Sequence, residues 1–504
     1  MSVSDRKDEQ INSEGYTQIV KASALFGGVQ VLTIILAIVR SKLVALFLGP
    51  TGIGIFGLIT YTTDFVIRLT NMGVETSAIN SISESVSEGN EKKTKEISNV
   101  INKLMIIAGI IGSLSVFLFS GFLSQLTFGN NDFTISFQWV AISVFFSQIS
   151  NGYLTIIRGM RKLKLLAIAN VLGSVTSLFV SVPLYFIFGV DGIVPTVILT
   201  SGIGLMLVFT IYKKVGHTFE WVPLKRMFTL SKQMVSMGFV LSLSGLYVFL
   251  KNYFLRLFIN SHGGLDEVGL YTAAFTLMDG YLALIFSSMG TDYFPRLVAE
   301  SNNVDNSNRL INQQAEIALI ILAPLIAIFI VYGDIILSVL YSDKFVPAQL
   351  MLQWAFYGTI FKATSWSIAF LILARGESRI FALSEFIAGT ITFTLHLFGY
   401  YIGGLTGIGI GFCLGYVYYN FHVLWLTTSR YDFKLSTTLL KLFFTQLLLS
   451  STLLIFMNIL SNPWNIFFGT LVALIIFIYS VIQLNNRIGL KNLLRKFLKK
   501  AKKH

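Results

Sequence analysis

The chain has 504 residues, of which 54% are hydrophobic and only 12% are charged, and its formal net charge is +13. A water-soluble protein of this size could not bury so much apolar surface, so the composition excludes a soluble enzyme or binding domain. Apolar runs of about 20 residues, the length that crosses a bilayer, recur along the sequence. Because these runs are continuous rather than alternating in polarity, they predict helices and not a β-barrel. The predicted fold class is an all-α integral membrane protein.

Fourteen membrane-spanning helices are predicted, each an apolar run bounded by polar or turn-forming residues. In chain order they cover residues 17–48, 53–81, 98–124, 135–157, 163–188, 192–212, 232–259, 268–298, 310–340, 348–374, 380–401, 406–427, 436–460 and 464–483. The predicted organisation is a polar cytoplasmic tail (1–16), an N-terminal lobe of spans one to six (17–215), a cytoplasmic linker (216–231), a C-terminal lobe of spans seven to twelve (232–428), spans thirteen and fourteen (429–484) and a basic tail (485–504).

The basic residues predict how the chain is oriented in the membrane. Of its 38 Lys and Arg residues, Lys344 is the one that falls in a predicted outer loop. By the positive-inside rule, both termini are expected in the cytoplasm. This bias also explains the net charge without a nucleic-acid partner. The tail at 485–504 predicts a basic amphipathic helix on the anionic membrane surface, with a protein partner as the alternative.

The two halves of the sequence resemble each other at an offset of about 215 residues. The matched pairs are 52–56 with 267–271, Asp64 with Asp279, Trp139 with Trp354, 158–161 with 375–379, and 189–193 with 404–408. Each half holds six predicted spans, so the halves have the same topology. This pattern predicts two pseudo-symmetric six-helix lobes, as in transporters that rock two lobes about a central site, followed by two extra helices.

One predicted span carries a stripe of polar side chains. Asp64, Arg68, Asn71 and Glu75 share one face of span two, so this face must meet another helix or water rather than lipid. A charge near the bilayer centre costs about 2.5–3.5 kcal/mol, which makes each charged member a candidate for function. Asp64 and Arg68 also have the i, i+4 spacing of an internal salt bridge, which is the structural alternative.

Basic side chains outnumber acids in the outer half of the predicted central cleft, and such a field suits an anion with phosphate oxygens. For Lys42 and Arg256, extension of the side chain to the outer interface is the alternative. The candidate substrate-binding cations are Arg40, Lys42, Arg68, Lys251, Arg256 and Lys362. The candidate ion-coupling or pairing acids are Asp64, Asp279 and Glu75.

The sequence predicts no catalytic site, metal site or cofactor. It has one cysteine and five scattered histidines, and no carboxylate cluster has the spacing of metal ligands. Neither a glycine-rich phosphate loop nor a Ser/His/Asp arrangement is present. The chain is therefore expected to be a transporter and not an enzyme.

Two short segments carry a resemblance to a known family. Lys21-Ala-Ser and the segment 42–54, Lys-Leu-Val-Ala-Leu-Phe-Leu-Gly-Pro-Thr-Gly-Ile-Gly, resemble the opening of O-antigen and lipid III flippases. These belong to the polysaccharide-transporter branch of the MOP exporter superfamily, which also contains the MATE exporters. The Arg158-Gly and Arg375-Gly turns and the two lobes fit, and the resemblance covers about residues 17–483.

This resemblance implies a V-shaped cleft lined by spans one, two, seven and eight. It implies a flippase that moves a polyprenyl-diphosphate-linked oligosaccharide, such as an O-antigen unit, from the cytoplasmic to the outer leaflet of the bacterial inner membrane by alternating access. The implied partners are this substrate, membrane lipids and, as a further candidate, the polysaccharide polymerase machinery.

Two other functions are weighed against this one. A cation-coupled multidrug exporter of the same superfamily would need carboxylates for cationic cargo without an excess of buried Lys and Arg. A membrane polysaccharide polymerase or ligase would need a large outer loop with catalytic residues, whereas the predicted outer loops are short.

Overall fold

The computed structural model describes residues 3–216 and 222–488, and within these ranges the chain forms thirteen α-helices and no strand. The all-α prediction is confirmed. The helices are α1 (Val3–Asn71), α2 (Val74–Ser87), α3 (Glu91–Leu118), α4 (Ser120–Phe128), α5 (Thr134–Gly159), α6 (Leu163–Phe188), α7 (Ile193–Lys213), α8 (Leu224–Glu300), α9 (Val304–Leu340), α10 (Gln349–Ala374), α11 (Ser378–Tyr431), α12 (Thr437–Ile459) and α13 (Trp464–Ile488). Residues 489–504, most of the predicted basic tail, lie outside the described residues.

Ten helical segments of the described chain are long and apolar enough to cross a membrane, so the chain is a multi-pass membrane protein. Four of these segments are 40, 51, 59 and 54 residues long, and each covers two predicted spans. Each contains a glycine with a positive φ, at Gly49, Gly189, Gly264 or Gly404. Glycine adopts this conformation at little cost because it has no Cβ. Fourteen crossings require each long segment to cross twice, and that number stays a prediction.

The internal repeat is present in the backbone as well as in the sequence. Three pairs of residues about 215 positions apart share a positive φ, which is uncommon in helical proteins. The pairs are Gly49 and Gly264 (φ 63° and 80°), Arg161 and Gly376 (φ 54° and 78°), and Gly189 and Gly404 (φ 55° and 56°). The ψ angles of the first and third pairs also agree, at −171° and −175° and at −127° and −141°. The turns between paired helices therefore repeat at the predicted offset.

The chain divides into two compact units, unit 1 (Met1–Gly269) and unit 2 (Leu270–His504). In unit 1, Ile82, Ile101 and Ile156 are fully buried in a core shared by α2, α3 and α5. The predicted lobe boundary lies earlier, in the linker 216–231, where α8 begins at Leu224 directly after Pro223. A proline suits this position because the first residues of a helix need no intrahelical N–H donor. The limits of the lobes stay a prediction.

Two glycines inside unit 1 allow α1 and α8 to touch through their backbones. A Cβ on Gly54 would lie 2.1 Å from the carbonyl oxygen of Leu265, and a Cβ on Gly269 would lie 1.9 Å from that of Pro50. Gly54 and Gly269 occupy equivalent positions in the sequence repeat, as do Pro50 and Leu265. The contact is therefore formed twice, by the same motif in each half of the sequence, and it accounts for the glycines in that motif.

In unit 2, α12 and α13 pack against α9, and one ion pair fixes part of this contact. Arg487 Nε lies 2.7 Å from Glu316 Oε2, and the two side chains are only 18% and 10% exposed. Arg487 also donates a hydrogen bond from Nη1 to Gln483 Oε1 at 2.6 Å. Because both ions are largely removed from water, each has lost favourable hydration free energy. The attraction between the two charges compensates for this loss.

We expect Glu316→Gln to lower the stability of unit 2 by about 2–3 kcal/mol, because the substitution leaves the Arg487 charge without its counter-ion in a largely buried place. Thermal unfolding of the purified protein in detergent measures this loss. The matched control is Glu88→Gln, which removes an exposed partner of Lys93. An exposed pair contributes at most about 1 kcal/mol, so the control should change the melting temperature little. Equal melting temperatures for both variants would contradict this interpretation.

Candidate functional site

A cavity of about 250 Å³ lies in unit 1 beside the polar stripe predicted in span two. Asp64, Arg68, Asn71 and Glu75 all line it. Asp64 and Arg68 have exposed side chains there, whereas Asn71 is buried. We call this space the stripe cavity. The four polar residues that the sequence groups on one face are thus brought to one space, which offers both charged and amide groups to a ligand.

The helix that carries the stripe is interrupted, although the sequence predicts an unbroken span over residues 53–81. The α1 helix ends at Asn71 and α2 begins at Val74, because Met72 and Gly73 have positive φ values of 47° and 70°. A Cβ on Gly73 would lie 2.1 Å from the carbonyl oxygen of Gly238 in α8, so the break permits a close backbone contact. Asn71 donates a hydrogen bond from Nδ2 to Glu75 Oε1 at 2.7 Å, which keeps the stripe continuous across the break.

Arg68 and Asp64 attract each other electrostatically, but their described side chains do not form the direct i, i+4 ion pair that the spacing allows. Instead, the Arg68 guanidinium lies over the ring of Phe249, 4.7 Å from its centroid. A guanidinium stacked on a ring still points its N–H donors outward along its edge. Arg68 can therefore donate hydrogen bonds to an anion in the cavity, and Asp64 can accept them from a ligand.

A stack of two arginines and two aromatic rings joins α1 to α8. The Arg256 guanidinium lies 3.8 Å from the centroid of Tyr61, Tyr61 stacks on Phe249 at 5.6 Å, and Arg68 covers the other end of the stack. Arg256 is 1% exposed, and its Nη1 donates to the carbonyl oxygen of Asn252 at 3.0 Å. In this structure the buried Arg256 therefore joins two helices, and its predicted contact with a substrate stays a prediction.

Arg40 lines a second cavity of unit 1, of about 370 Å³, between α1, α5, α6 and α7. The small polar side chains of Ser150, Asn170 and Ser174 contribute to its walls. Among the described residues, the buried Arg40 Nε has no hydrogen-bond partner, and the guanidinium lies 5.9 Å from the centroid of Phe56. Arg40 and Arg68 thus face different cavities rather than one shared group of cations.

The remaining predicted residues are spread over both units. Lys42 on α1 and Lys251 on α8 are partly buried in unit 1. In unit 2, Asp279 on α8 is exposed, and Lys362 on α10 is partly buried among aromatic rings. In the part of the chain that the structure describes, no group of three His, Cys, Asp or Glu side chains could hold a metal ion.

Comparison with known proteins places this architecture in a family. Residues 43–350 match the family of polysaccharide biosynthesis proteins. The chain belongs to this family. The lipid III flippase of Escherichia coli K12 is 19% identical over 376 residues, which are 73% of this chain and 88% of that protein.

Solved structures show the same fold. The inward closed conformation of the lipid II flippase MurJ has a TM-score of 0.69 at 13% identity, over 92% of this chain and 99% of that one. An inward-facing multidrug resistance MATE family transporter of the MOP superfamily has a TM-score of 0.65 at 14% identity, over 82% and 96%. The predicted MOP fold is confirmed. The relatives found in these comparisons are flippases and transporters.

Part of the stripe cavity is formed by residues that the sequence does not single out. Asn151 on α5 and Ser242 on α8 complete its polar wall, and Phe239 and Leu246 supply an apolar one. Asn151 could have been found from the sequence, because it is a polar amide within the predicted fourth span, where such a group needs a partner. Ser242 carries no such signal, since a serine can satisfy itself within its own helix.

Proposed function

We propose that this chain is a flippase that moves a polyprenyl-diphosphate-linked oligosaccharide, an O-antigen or related surface polysaccharide unit, to the outer leaflet of the bacterial inner membrane. The observation that carries the proposal is the match to a lipid III flippase over 88% of that protein, within a family of polysaccharide biosynthesis proteins. The proposal includes transport from the cytoplasmic leaflet by alternating access, with both termini in the cytoplasm. The polymerase machinery that would use the exported product is the proposed functional partner.

The chemistry of the stripe cavity suits the polar head group of such a lipid. Sugar hydroxyls both donate and accept hydrogen bonds, and the cavity offers carboxylate acceptors (Asp64, Glu75) and the Asn151 amide. Arg68 supplies a planar fork of N–H donors that matches phosphate oxygens. Moving a diphosphate through hydrocarbon without such groups would be prohibitive, because each ion would lose its hydration without compensation.

We assign different roles in substrate binding to the predicted basic residues. Arg68 is the first candidate for a phosphate contact, because its guanidinium faces a cavity. Arg40, in the second cavity, together with Lys42 and Lys251, remains a candidate for contacts at another stage of transport. Arg256 is left out of the substrate contacts because it is buried against Tyr61. Asp64, Glu75 and Asp279 also remain candidates for ion coupling.

Deletion of the gene in its host tests the proposal. The deletion strain should accumulate the lipid-linked oligosaccharide with its sugars inaccessible from outside the membrane, and the cells should lack the surface polysaccharide. A multidrug exporter would instead give hypersensitivity to cationic drugs with normal polysaccharide. A polymerase or ligase would change the length or linkage of the sugar product rather than its leaflet. Normal surface polysaccharide in the deletion strain would overturn the proposal.

A further inference from the structure

The side chain of Lys362 in unit 2 ends among three aromatic rings. Its Nζ lies 5.3 Å from the centroid of Tyr416, 5.6 Å from that of Phe286 and 6.0 Å from that of Phe412. The rings come from two helices, α8 and α11, and the lysine from a third, α10. Each contact lies within the distance at which the electron-rich face of a ring attracts a cation. We call these three rings the aromatic cage.

Each of the three rings packs against another aromatic ring. Phe412 and Tyr416 lie 4.7 Å apart on the same helix, and Phe286 lies 5.0 Å from Trp366 of α10. These contacts limit the rotation of the rings, so the cage does not depend on Lys362 alone for its shape. Two further groups attract the Lys362 ammonium electrostatically: the hydroxyl oxygen of Tyr416, which is also its hydrogen-bond partner, and the carboxylate of Asp279, two turns before Phe286 on α8. The described side chains of Asp279 and Lys362 nevertheless form no direct ion pair.

Three aromatic rings, a tyrosine hydroxyl oxygen and one carboxylate are the components of a cation site. The face of an aromatic ring carries the negative part of its quadrupole, so it attracts an ammonium group and repels a phosphate. A lysine that bound a diphosphate would have to bring that anion up to the same three rings and towards Asp279. The surroundings of Lys362 therefore do not favour the phosphate-binding role that the sequence predicts for it.

We propose that the aromatic cage is a binding site for small quaternary ammonium ions, and that Lys362 occupies it as a tethered cation and keeps free cations out. A tethered group competes at a high effective concentration, so a free ammonium ion cannot displace it at ordinary concentrations. Lys362 then determines specificity, because it closes a site that would otherwise accept cationic cargo. The inference rests on the surroundings of Lys362 and not on the identity of the transported lipid.

The test is binding of tetramethylammonium to the purified full-length protein in detergent, measured by isothermal titration calorimetry. Tetramethylammonium has one more heavy atom than Lys362→Ala removes, so it matches the vacated space. We expect Lys362→Ala to bind it at least about tenfold more tightly than the unmodified protein does. Lys362→Arg, which keeps a tethered cation, should bind no better than the unmodified protein.

Two further variants separate cation recognition from the creation of empty space. Adding Phe412→Leu or Asp279→Asn to Lys362→Ala should weaken binding by about threefold to tenfold, because each removes one attraction and leaves the vacated space. Lys362→Ser serves as a second opening variant if the alanine protein is not monodisperse on size exclusion. The proposal is overturned if the folded opening variants bind no more tightly than the unmodified protein, or if the added substitutions leave the affinity unchanged. Neither result would bear on flippase activity.

Discussion

Arg68→Ala is expected to reduce export of the lipid-linked oligosaccharide by about a hundredfold. The guanidinium lies on the stripe cavity with its ring-side face against Phe249, so the substitution removes the N–H fork without opening the buried core. A charge-assisted bidentate contact to phosphate is worth about 2–3 kcal/mol, which corresponds to this loss. The measurement is restoration of surface polysaccharide in a strain that lacks the gene, at matched levels of protein in the membrane.

Two variants make this result interpretable. Arg68→Lys keeps the charge but loses the planar fork, so it should retain intermediate activity. Arg296→Ala is the matched control, because Arg296 is exposed on α8 and pairs with Asp292 at 3.1 Å outside the stripe cavity. It should leave export within about twofold of the unmodified protein, since exposed pairs contribute little. Full export by Arg68→Ala at normal protein levels would remove Arg68 from the substrate contacts.

Gly269→Ala is expected to destabilise the protein by about 3 kcal/mol or more, although it adds a single methyl group. That methyl carbon would lie 1.9 Å from the carbonyl oxygen of Pro50, which is part of the backbone and cannot rotate away. Relief requires α1 and α8 to separate, and the neighbouring contact of Gly54 with Leu265 would be lost with it. Overpacking of this kind is among the few mechanisms that give large effects for one substitution.

The control for this prediction lies on the same helix. A Cβ on Gly280 meets nothing within 4 Å, and alanine is the better helix former, so Gly280→Ala should be neutral or slightly stabilising. Thermal unfolding followed by fluorescence-detected size exclusion compares the two variants in detergent. If Gly269→Ala unfolds at the same temperature as Gly280→Ala, the two helices do not meet as described.

The sequence predicts the features of this protein that depend on local pattern. Continuous apolar runs give the all-α class, and the repeat anticipates the paired turns at Gly49 and Gly264 and at Gly189 and Gly404. The spacing of Asp64, Arg68 and Glu75 anticipates a shared polar face, because helical periodicity alone determines which side chains lie together. These predictions need no knowledge of what packs against the helix.

The features that the sequence does not predict depend on distant partners. Arg256 is a cation in a predicted span, and its guanidinium lies over the ring of Tyr61, which nothing local identifies as its neighbour. The break at Met72 and Gly73 likewise lies where the backbone of Gly238, far along the chain, comes close. Periodicity shows that a side chain needs a polar or aromatic partner, but the tertiary fold decides which one it receives.

The aromatic surroundings of Lys362 lead to the same conclusion in unit 2. Phe286 is distant in sequence from Phe412 and Tyr416, and the lysine lies on a third helix. The sequence marks Lys362 as a charge that needs compensation inside a span, and an anionic ligand is one form of compensation. The structure supplies another form, ring faces together with Asp279, and this changes the chemistry expected of the residue.

Transport in a reconstituted system tests the central claim most directly. The purified protein is placed in liposomes with a polyprenyl-diphosphate oligosaccharide that carries a fluorophore on its sugar, and a membrane-impermeant quencher reports the fraction in the accessible leaflet. In empty liposomes the quencher reaches only the outer leaflet, which holds about half of the fluorophore. We predict that liposomes with the unmodified protein lose nearly all of their fluorescence. Liposomes with Arg68→Ala should lose only about half on the same timescale. Quenching by the unmodified protein that stays at the level of empty liposomes, under conditions in which the same liposomes transport a cationic drug, would contradict the account.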